Sequence, residues 1–192
     1  MKVFENEILF NYPPAQTIAA LHRKYPNPFA THVYSVDTLE RTIDPESGVL
    51  RSERLIGVQQ GAPKWITKLF HLPPTAYVRE VVFVDPSDPS ATCMSVNLSL
   101  AQYVSCLELI RYYPTTPTSP SSPTTLDSAD SSTTTFSQRA MLISGFPTKY
   151  VARKLEQASY DRFKANAGIG KQGFDWVLAG GNQAALPRPA PP

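Results

Sequence analysis

The stretch 148–178 reads as one long amphipathic helix, and the residue that interrupts its apolar face constrains everything else. Pro147 precedes it as a start signal and Gly180-Gly181 close it as a stop. At roughly 100° per residue, Val151, Leu155, Ala158, Ile169, Trp176 and Val177 fall on one side. Arg162 and Asn166 fall on that same side. An unpaired guanidinium among buried apolar side chains costs several kcal/mol or more. Three arrangements relieve that cost. The arginine meets a carboxylate in the core, it snorkels to the edge of the stripe, or the helix walls a cavity whose occupant brings an anion. The helix is about 46 Å long if straight, and Gly168, Gly170 and Gly173 are expected to bend or fray it midway.

A helix of this length needs a partner layer, and the preceding residues supply strands. Residues 2–11 alternate, with Phe4, Ile8 and Phe10 on one side. Tyr12-Pro13-Pro14 breaks that strand and opens a short helix from Ala15 to about Lys24, burying Ile18, Leu21 and Tyr25. Pro26-Asn27-Pro28 ends it. Further strands are expected near 31–43, 49–59, 76–84, 91–98, 103–113 and 136–144. Turns lie at Asp44-Pro45-Glu46-Ser47-Gly48 and Asp85-Pro86-Ser87-Asp88-Pro89-Ser90. Between strands six and seven, 114–135 is almost all Pro, Ser and Thr and holds too little apolar material to pack, so it reads as a disordered loop. Residues 179–192 read as a flexible tail. The order predicts an α+β fold, a curved seven-stranded antiparallel sheet wrapped around the long C-terminal helix, in one domain over 1–178.

Composition narrows the function classes. With 192 residues, 42% hydrophobic and 18% charged, the chain has material for a substantial core. A net charge of +2 offers polyanions no strong attraction, so nucleic acid is not an expected partner. No apolar run is long enough to cross a bilayer as a helix. The amino terminus reads as a strand rather than a secretory signal or an arginine-rich transit peptide. Cys93 and Cys106 flank a hairpin turn near Ser99-Leu100 and either lie opposite each other or are two small buried thiols; they are too few to hold a metal. No nucleophile elbow, zinc-protease motif, Walker loop or Rossmann fingerprint is present. Gly168-x-Gly170-x-x-Gly173 matches a dinucleotide loop only in its letters, since it sits inside a helix with no strand before it. His22, His32 and His71 are scattered, and nothing pairs a nucleophile with a base. The chain is not expected to be an enzyme, and it needs no cofactor.

The segment 60–74 is bounded by Gly and Pro yet holds Lys64, Trp65, Ile66, Lys68, Leu69 and Phe70. It is either an apolar segment edged with lysine that dips into a lipid interface or a loop that covers the core. Other basic residues are Arg23 and Lys24 after the first helix, Arg51 and Arg54 on strand three, and Lys171 on the long helix.

Specific strings now bear on these alternatives. Met1-Lys2-Val3-Phe4-Glu5-Asn6, Lys24-Tyr25-Pro26-Asn27-Pro28, Thr31-His32-Val33, Val36-Asp37-Thr38-Leu39 and Glu53-Arg54-Leu55-Ile56 resemble the PRELI family. So do Gln60-Gly61-Ala62-Pro63-Lys64-Trp65-Ile66 and Val78-Arg79-Glu80-Val81. The resemblance covers about 1–178, and the amino-terminal and Pro-Lys-Trp blocks look closer to the slowmo branch. It implies a non-catalytic phospholipid transfer protein of the mitochondrial intermembrane space, with a lipid cavity like that of START and phosphatidylinositol transfer folds. It also implies peripheral membrane contact and a heterodimer with a small helical twin Cys-x9-Cys protein. Phosphatidylserine is the favoured anionic cargo and phosphatidic acid the next.

Carried over residue by residue, Lys24 matches the basic position before Tyr-Pro-Asn-Pro that contributes to headgroup binding. Arg162 and Asn166 match the helix positions that face the phosphate, and Lys171 lies near a further basic position. The segment 61–73, with Lys64, Trp65, Ile66, Lys68, Leu69 and Phe70, corresponds to the lid. Ala158 stands where the family often has tryptophan, and Gly168-Ile169-Gly170 replaces a more basic segment. The competing reading is an interaction protein that uses the groove for a partner helix; a hydrolase is a distant third.

Overall fold

Alternating apolar and polar residues build seven strands, and their pairing places every strand's inner face toward one helix. The computed structural model describes residues 1–59, 66–68, 71–115 and 133–186. Strand β1 (Lys2–Phe10) leads into helix α1 (Pro14–Ala20) and a 3-10 turn, Leu21–Arg23. Strands β2 (Val33–Ile43), β3 (Leu50–Gln59), β4 (Thr75–Asp85), β5 (Ser90–Asn97), β6 (Ser105–Pro114) and β7 (Thr134–Ile143) follow, and then helix α2 (Lys149–Leu178). All pairs are antiparallel, in the order β1-β7-β6-β5-β4-β3-β2. The chain therefore leaves one edge of the sheet after β1 and re-enters at the other edge with β2, and α1 carries it across.

The α+β architecture with seven strands and one long helix is the expected one, and strand ends lie within two residues of their predicted positions. Three expectations are corrected, and the alternatives left open for the cysteines are decided. The first helix stops at Ala20 and continues as a 3-10 turn, because Pro26 and the Asn27 hydrogen bonds draw the chain away. Thr134 and Thr135, placed in the loop by composition, belong to β7 and are buried, with Thr134 Oγ1 donating to the Tyr12 carbonyl at 2.7 Å; Pro114 likewise ends β6, and 116–132 lies outside the described residues, as does the tail from 187. Cys93 faces Ile110 while Cys106 faces Leu142, so the two thiols are not opposite each other. Both are free, and burial pushes their pKa values up to about 12 and about 11. Finally, α2 runs unbroken through all three glycines.

Gly173 has a different role from bending. A Cβ there would sit 2.5 Å from Asn27 Oδ1, so the missing side chain is what lets the helix touch the Asn27 amide. Asn27 in turn donates to the Lys24 carbonyl at 2.9 Å and accepts from the backbone N–H groups of Phe29 and Ala30 at 3.0 and 2.9 Å. The close approach thus pins the segment that carries Lys24. Gly168 has nothing within 4 Å of a built Cβ.

The core has an uneven distribution along α2. Near the helix's carboxyl end, Phe174 packs edge-on against Phe10 and Tyr112 with centroids 5.3 and 5.9 Å apart, beside Val177, Leu178, Ile18 and Leu21. Near its amino end, Leu155 is buried and Phe4 meets Tyr160 and Phe163 at 5.8 and 5.7 Å. Glu156 accepts from the Met1 amine and from the Ser144 backbone N–H, at 2.8 and 3.0 Å. The helix is held at two ends like a bar across a bowl.

Two predictions follow from this packing. Gly173→Ala should destabilise the protein by about 1–3 kcal/mol through overpacking against Asn27, whereas Gly168→Ala should stabilise it by about 0.5–1 kcal/mol through helix propensity; urea unfolding of both variants measures the contrast. In the 3-10 turn, neither ring nitrogen of His22 has a hydrogen-bond partner among the described residues. Burial, then the Arg54 and Arg41 charges, holds its pKa below 6.5, with Glu80 opposing them. Folding therefore favours the neutral ring, and the unfolded chain takes up the proton first as pH drops through 6.5. Stability should fall between about pH 7.5 and about pH 5.5, and by less in His22→Phe.

Candidate functional site

Between the two anchored ends of α2, helix and sheet stand apart and enclose a cavity of about 360 Å³. That volume lies within the range of sites that take small organic ligands. Ile8, Val33, Ile56, Val78, Ile110 and Leu155 supply much of its apolar wall. The middle turns of α2 contribute Ala158, Arg162, Asn166 and Gly170. Ala158 stands where a tryptophan was the family expectation, and it offers the cavity only a methyl group.

Lys24, Arg162, Asn166 and Lys171, the headgroup residues implied by the family resemblance, all line this one cavity. Their electrostatic situations differ. Arg162 has no carboxylate within ion-pair distance among the described residues. Desolvation pushes its pKa down, and the neighbouring Cys106 thiol pulls slightly the other way. The core-carboxylate arrangement considered for this residue is therefore not the one adopted. His32 sits near it; burial and the Arg162 charge hold that imidazole below 6.5, so it adds no charge at neutral pH.

Lys24 reaches over Tyr25 and Phe174, with its Nζ 5.6 and 5.9 Å from their ring centroids. Desolvation, the largest single influence on it, works against the charge. The phenols of Tyr25 and Tyr112 and the carboxylates of Glu80 and Glu108 together outweigh that, and its pKa is raised. Lys171 differs from the other two cations because its Nζ is 2.5 Å from the Asp175 carboxylate one turn along. It also lies 5.5 Å from the Phe10 ring.

Of the lid residues, Ile66 is buried and lines the cavity, and Lys68 is exposed on the same helical turn, 66–68. Lys64, Trp65, Leu69 and Phe70 lie outside the described residues.

A band of polar residues across the sheet's inner face was not singled out from the sequence. Glu80 faces Ser95, and Ser95 faces Glu108, on β4, β5 and β6. Ser95 Oγ donates to Glu108 Oε2 at 2.6 Å, and Gln138 Nε2 donates to Glu108 Oε1 at 2.5 Å. Asn6 Nδ2 donates to Gln138 Oε1 at 3.3 Å and extends the band to β1. At the other end Arg54, only 3% exposed, donates from Nε to Glu80 Oε1 at 2.9 Å and from an Nη to the Leu21 carbonyl. Arg54 thereby ties β3 to the 3-10 turn that precedes Lys24. A signal existed: Glu108 sits between inward-facing Cys106 and Ile110, Glu80 between Val78 and Val82, and Gln138 between Phe136 and Ala140. A polar residue at an inward position of β4, of β6 and of β7 is as anomalous as Arg162 on the helix.

Among the described residues, no group of three or more His, Cys, Asp or Glu side chains is placed to hold a metal ion. Nor is any helix there long and apolar enough to cross a membrane.

Comparison with known proteins places this geometry. The sheet and helix superpose with a TM-score of 0.52 on the crystal structure of Ara h 8.0201, covering 93% of this chain and 98% of that one at 11% identity. They also superpose at 0.52 on a Staphylococcus aureus protein of unknown function, SA2116, covering 93% and 95% at 9% identity. These likenesses establish the shared fold alone. Protein UPS2, mitochondrial, of Saccharomyces cerevisiae is 40% identical over 178 residues, covering 93% of this chain and 73% of that protein. UPS-like protein C36.10 of Schizosaccharomyces pombe is 36% identical, covering 93% and 89%. The slowmo homolog of Dictyostelium discoideum is 31% identical over 153 residues, covering 80% and 60%. By identity UPS2 therefore stands above the slowmo homolog, contrary to the branch suggested by the amino-terminal and Pro-Lys-Trp blocks. Residues 15–184 match the PRELI-like family, and the chain belongs to that family.

Proposed function

We propose that this protein is a carrier that moves an anionic phospholipid between mitochondrial membranes across the intermembrane space, with no covalent step. Phosphatidylserine is the favoured cargo and phosphatidic acid the second. The observation that carries the reading is the Arg162 guanidinium, desolvated on the cavity wall and without an acidic partner among the described residues. Such a charge is stabilised by an anion that arrives with the occupant. Membership of the family and the mitochondrial designation of UPS2 support the compartment.

The physical cycle has three parts. About thirty chain methylenes at ~0.8 kcal/mol each require on the order of 20 kcal/mol of apolar shelter outside a bilayer, and the walls between sheet and helix offer it. Arg162 and Lys24 neutralise the headgroup, and the Asn166 amide donates to a phosphate oxygen. Lys171, already paired with Asp175, adds a more screened positive charge at the rim. The lid then meets the membrane. Lys64 and Lys68 draw it to anionic surfaces at about 1 kcal/mol per charge, Trp65 anchors at the headgroup level, and Ile66, Leu69 and Phe70 close over the chains.

A small helical twin Cys-x9-Cys protein is the proposed partner. The outer face of the sheet gives it an apolar surface, where Met94 and Leu109 are register neighbours and Leu107 lies alongside, each more than 40% exposed.

Two measurements test the reading. Organic extraction of the purified protein followed by mass spectrometry should recover about one phospholipid per chain; recovery of none would leave the cavity to a partner helix instead. Arg162→Glu should lower liposome-to-liposome transfer by about tenfold or more while the unfolding midpoint of the lipid-free protein stays within a few degrees, since it replaces an attraction for phosphate by a repulsion. Undiminished transfer would count against the site.

A further inference from the structure

The cavity holds a carboxylate as well as cations. Glu108 lines the cavity among apolar neighbours, and its two oxygens accept from Ser95 Oγ and Gln138 Nε2, both uncharged donors. No cationic nitrogen lies within ion-pair distance of it among the described residues. The neighbouring carboxylate, Glu80, is different: Arg54 neutralises it. Glu108 is thus held by two side chains in a fixed orientation, with lone pairs left over and its charge uncompensated at contact range.

Lys24 and Arg162, which have no ion-pair partner among the described residues, line the same cavity. Lys24 is influenced by the Glu108 charge. Cys106, two residues along the same inner face of β6, is influenced by both Glu108 and Arg162. Lys24, Glu108 and Arg162 line the same cavity, which therefore presents two positive charges and one negative to an occupant. A phosphoserine headgroup brings the complementary set: a negative phosphate, and a positive ammonium and a negative carboxylate that branch from one carbon. The two patterns also balance in sum, since Lys24, Glu108 and Arg162 total one positive charge and the headgroup carries one negative.

We propose that Glu108, positioned by Ser95 and Gln138, is the specificity residue that reads the ammonium of an aminophospholipid, with phosphate at Arg162 and Asn166 and the serine carboxylate at Lys24. This rests on the carrier reading above and deepens it. Phosphatidic acid and phosphatidylglycerol bring no cation to Glu108, so the carboxylate stays uncompensated beside an added phosphate. Phosphatidylethanolamine satisfies Glu108 but leaves Lys24 without its anion. A zwitterion with a second acidic group satisfies all three.

Liposome transfer separates the two claims. Donor vesicles of neutral phosphatidylcholine carry, in separate arms, labelled phosphatidylserine, phosphatidylglycerol or N-acetyl-phosphatidylserine, in which the ammonium is capped as an amide. Wild-type protein should move phosphatidylserine about tenfold faster than its N-acetyl form, and this arm needs no variant. In Glu108→Gln the ratio of phosphatidylserine to phosphatidylglycerol transfer should fall about tenfold. Ser95→Ala, which removes one of the carboxylate's donors, should lower the same ratio by a smaller factor. Equal transfer of phosphatidylserine and its N-acetyl form by wild type, or an unchanged ratio in Glu108→Gln, overturns the assignment to Glu108 while leaving the carrier reading intact. Failure of wild type to move any of the three lipids overturns the carrier reading, and the assignment with it.

Discussion

The structure depends on how α2 is fastened. Two hydrophobic clusters, one around Phe174 and one around Leu155 and Phe4, grip its ends. Between them the helix has small or polar residues where a solid core would need large apolar ones. If the middle turns carried leucines, burial at about 25 cal/mol per Å² would draw helix onto sheet and close the hollow. Ala158, Arg162, Asn166 and Gly170 offer no such driving force. The cavity is thus a consequence of composition at four helical positions, and the stability of the fold comes from either side of it.

The same division separates groups that hold the fold from groups left over. Arg54 and Glu80 neutralise each other, and Arg54 also grips the Leu21 carbonyl, so this pair fastens the turn before Lys24. Asn27 fastens the segment after it through contact with Gly173. Lys24 is thereby fixed from both sides without spending its own charge. Lys171 is compensated by Asp175. Among the described residues that line the cavity, Lys24, Glu108 and Arg162 remain uncompensated at contact distance. A protein that keeps unpaired charges inside gives up several kcal/mol of folding stability unless an occupant supplies the partners. An occupant of opposite charge would then be part of the structure's electrostatics, and its binding would be linked to stability.

Much of this was legible along the chain, for reasons that can be named. Strands declared themselves by alternation, and the helix by a period near 3.6 residues bounded by Pro147 and Gly180-Gly181. Arg162 stood out because that period put a guanidinium on an apolar stripe. Gly173 was misread: a helical glycine looks like a weak point until the Asn27 amide is found against it. The cysteine alternatives stayed open because hairpin register depends on turn length; the register parts the two thiols, and both are free. The loop boundary was set too wide because Thr134 and Thr135 look polar in a list yet bury their hydroxyls in hydrogen bonds.

By itself, then, the amino-acid order determined the elements, the α+β class, the family resemblance and the identity of the cations on one helix face, since those follow from local periodicity and short strings. Only the tertiary structure decided which charges cancel. Glu80 and Glu108 look alike in sequence, both acidic at inward strand positions. Sheet register gives one of them Arg54 and leaves the other facing the hollow, because pairing across strands is set by where each strand starts rather than by the residues flanking either glutamate.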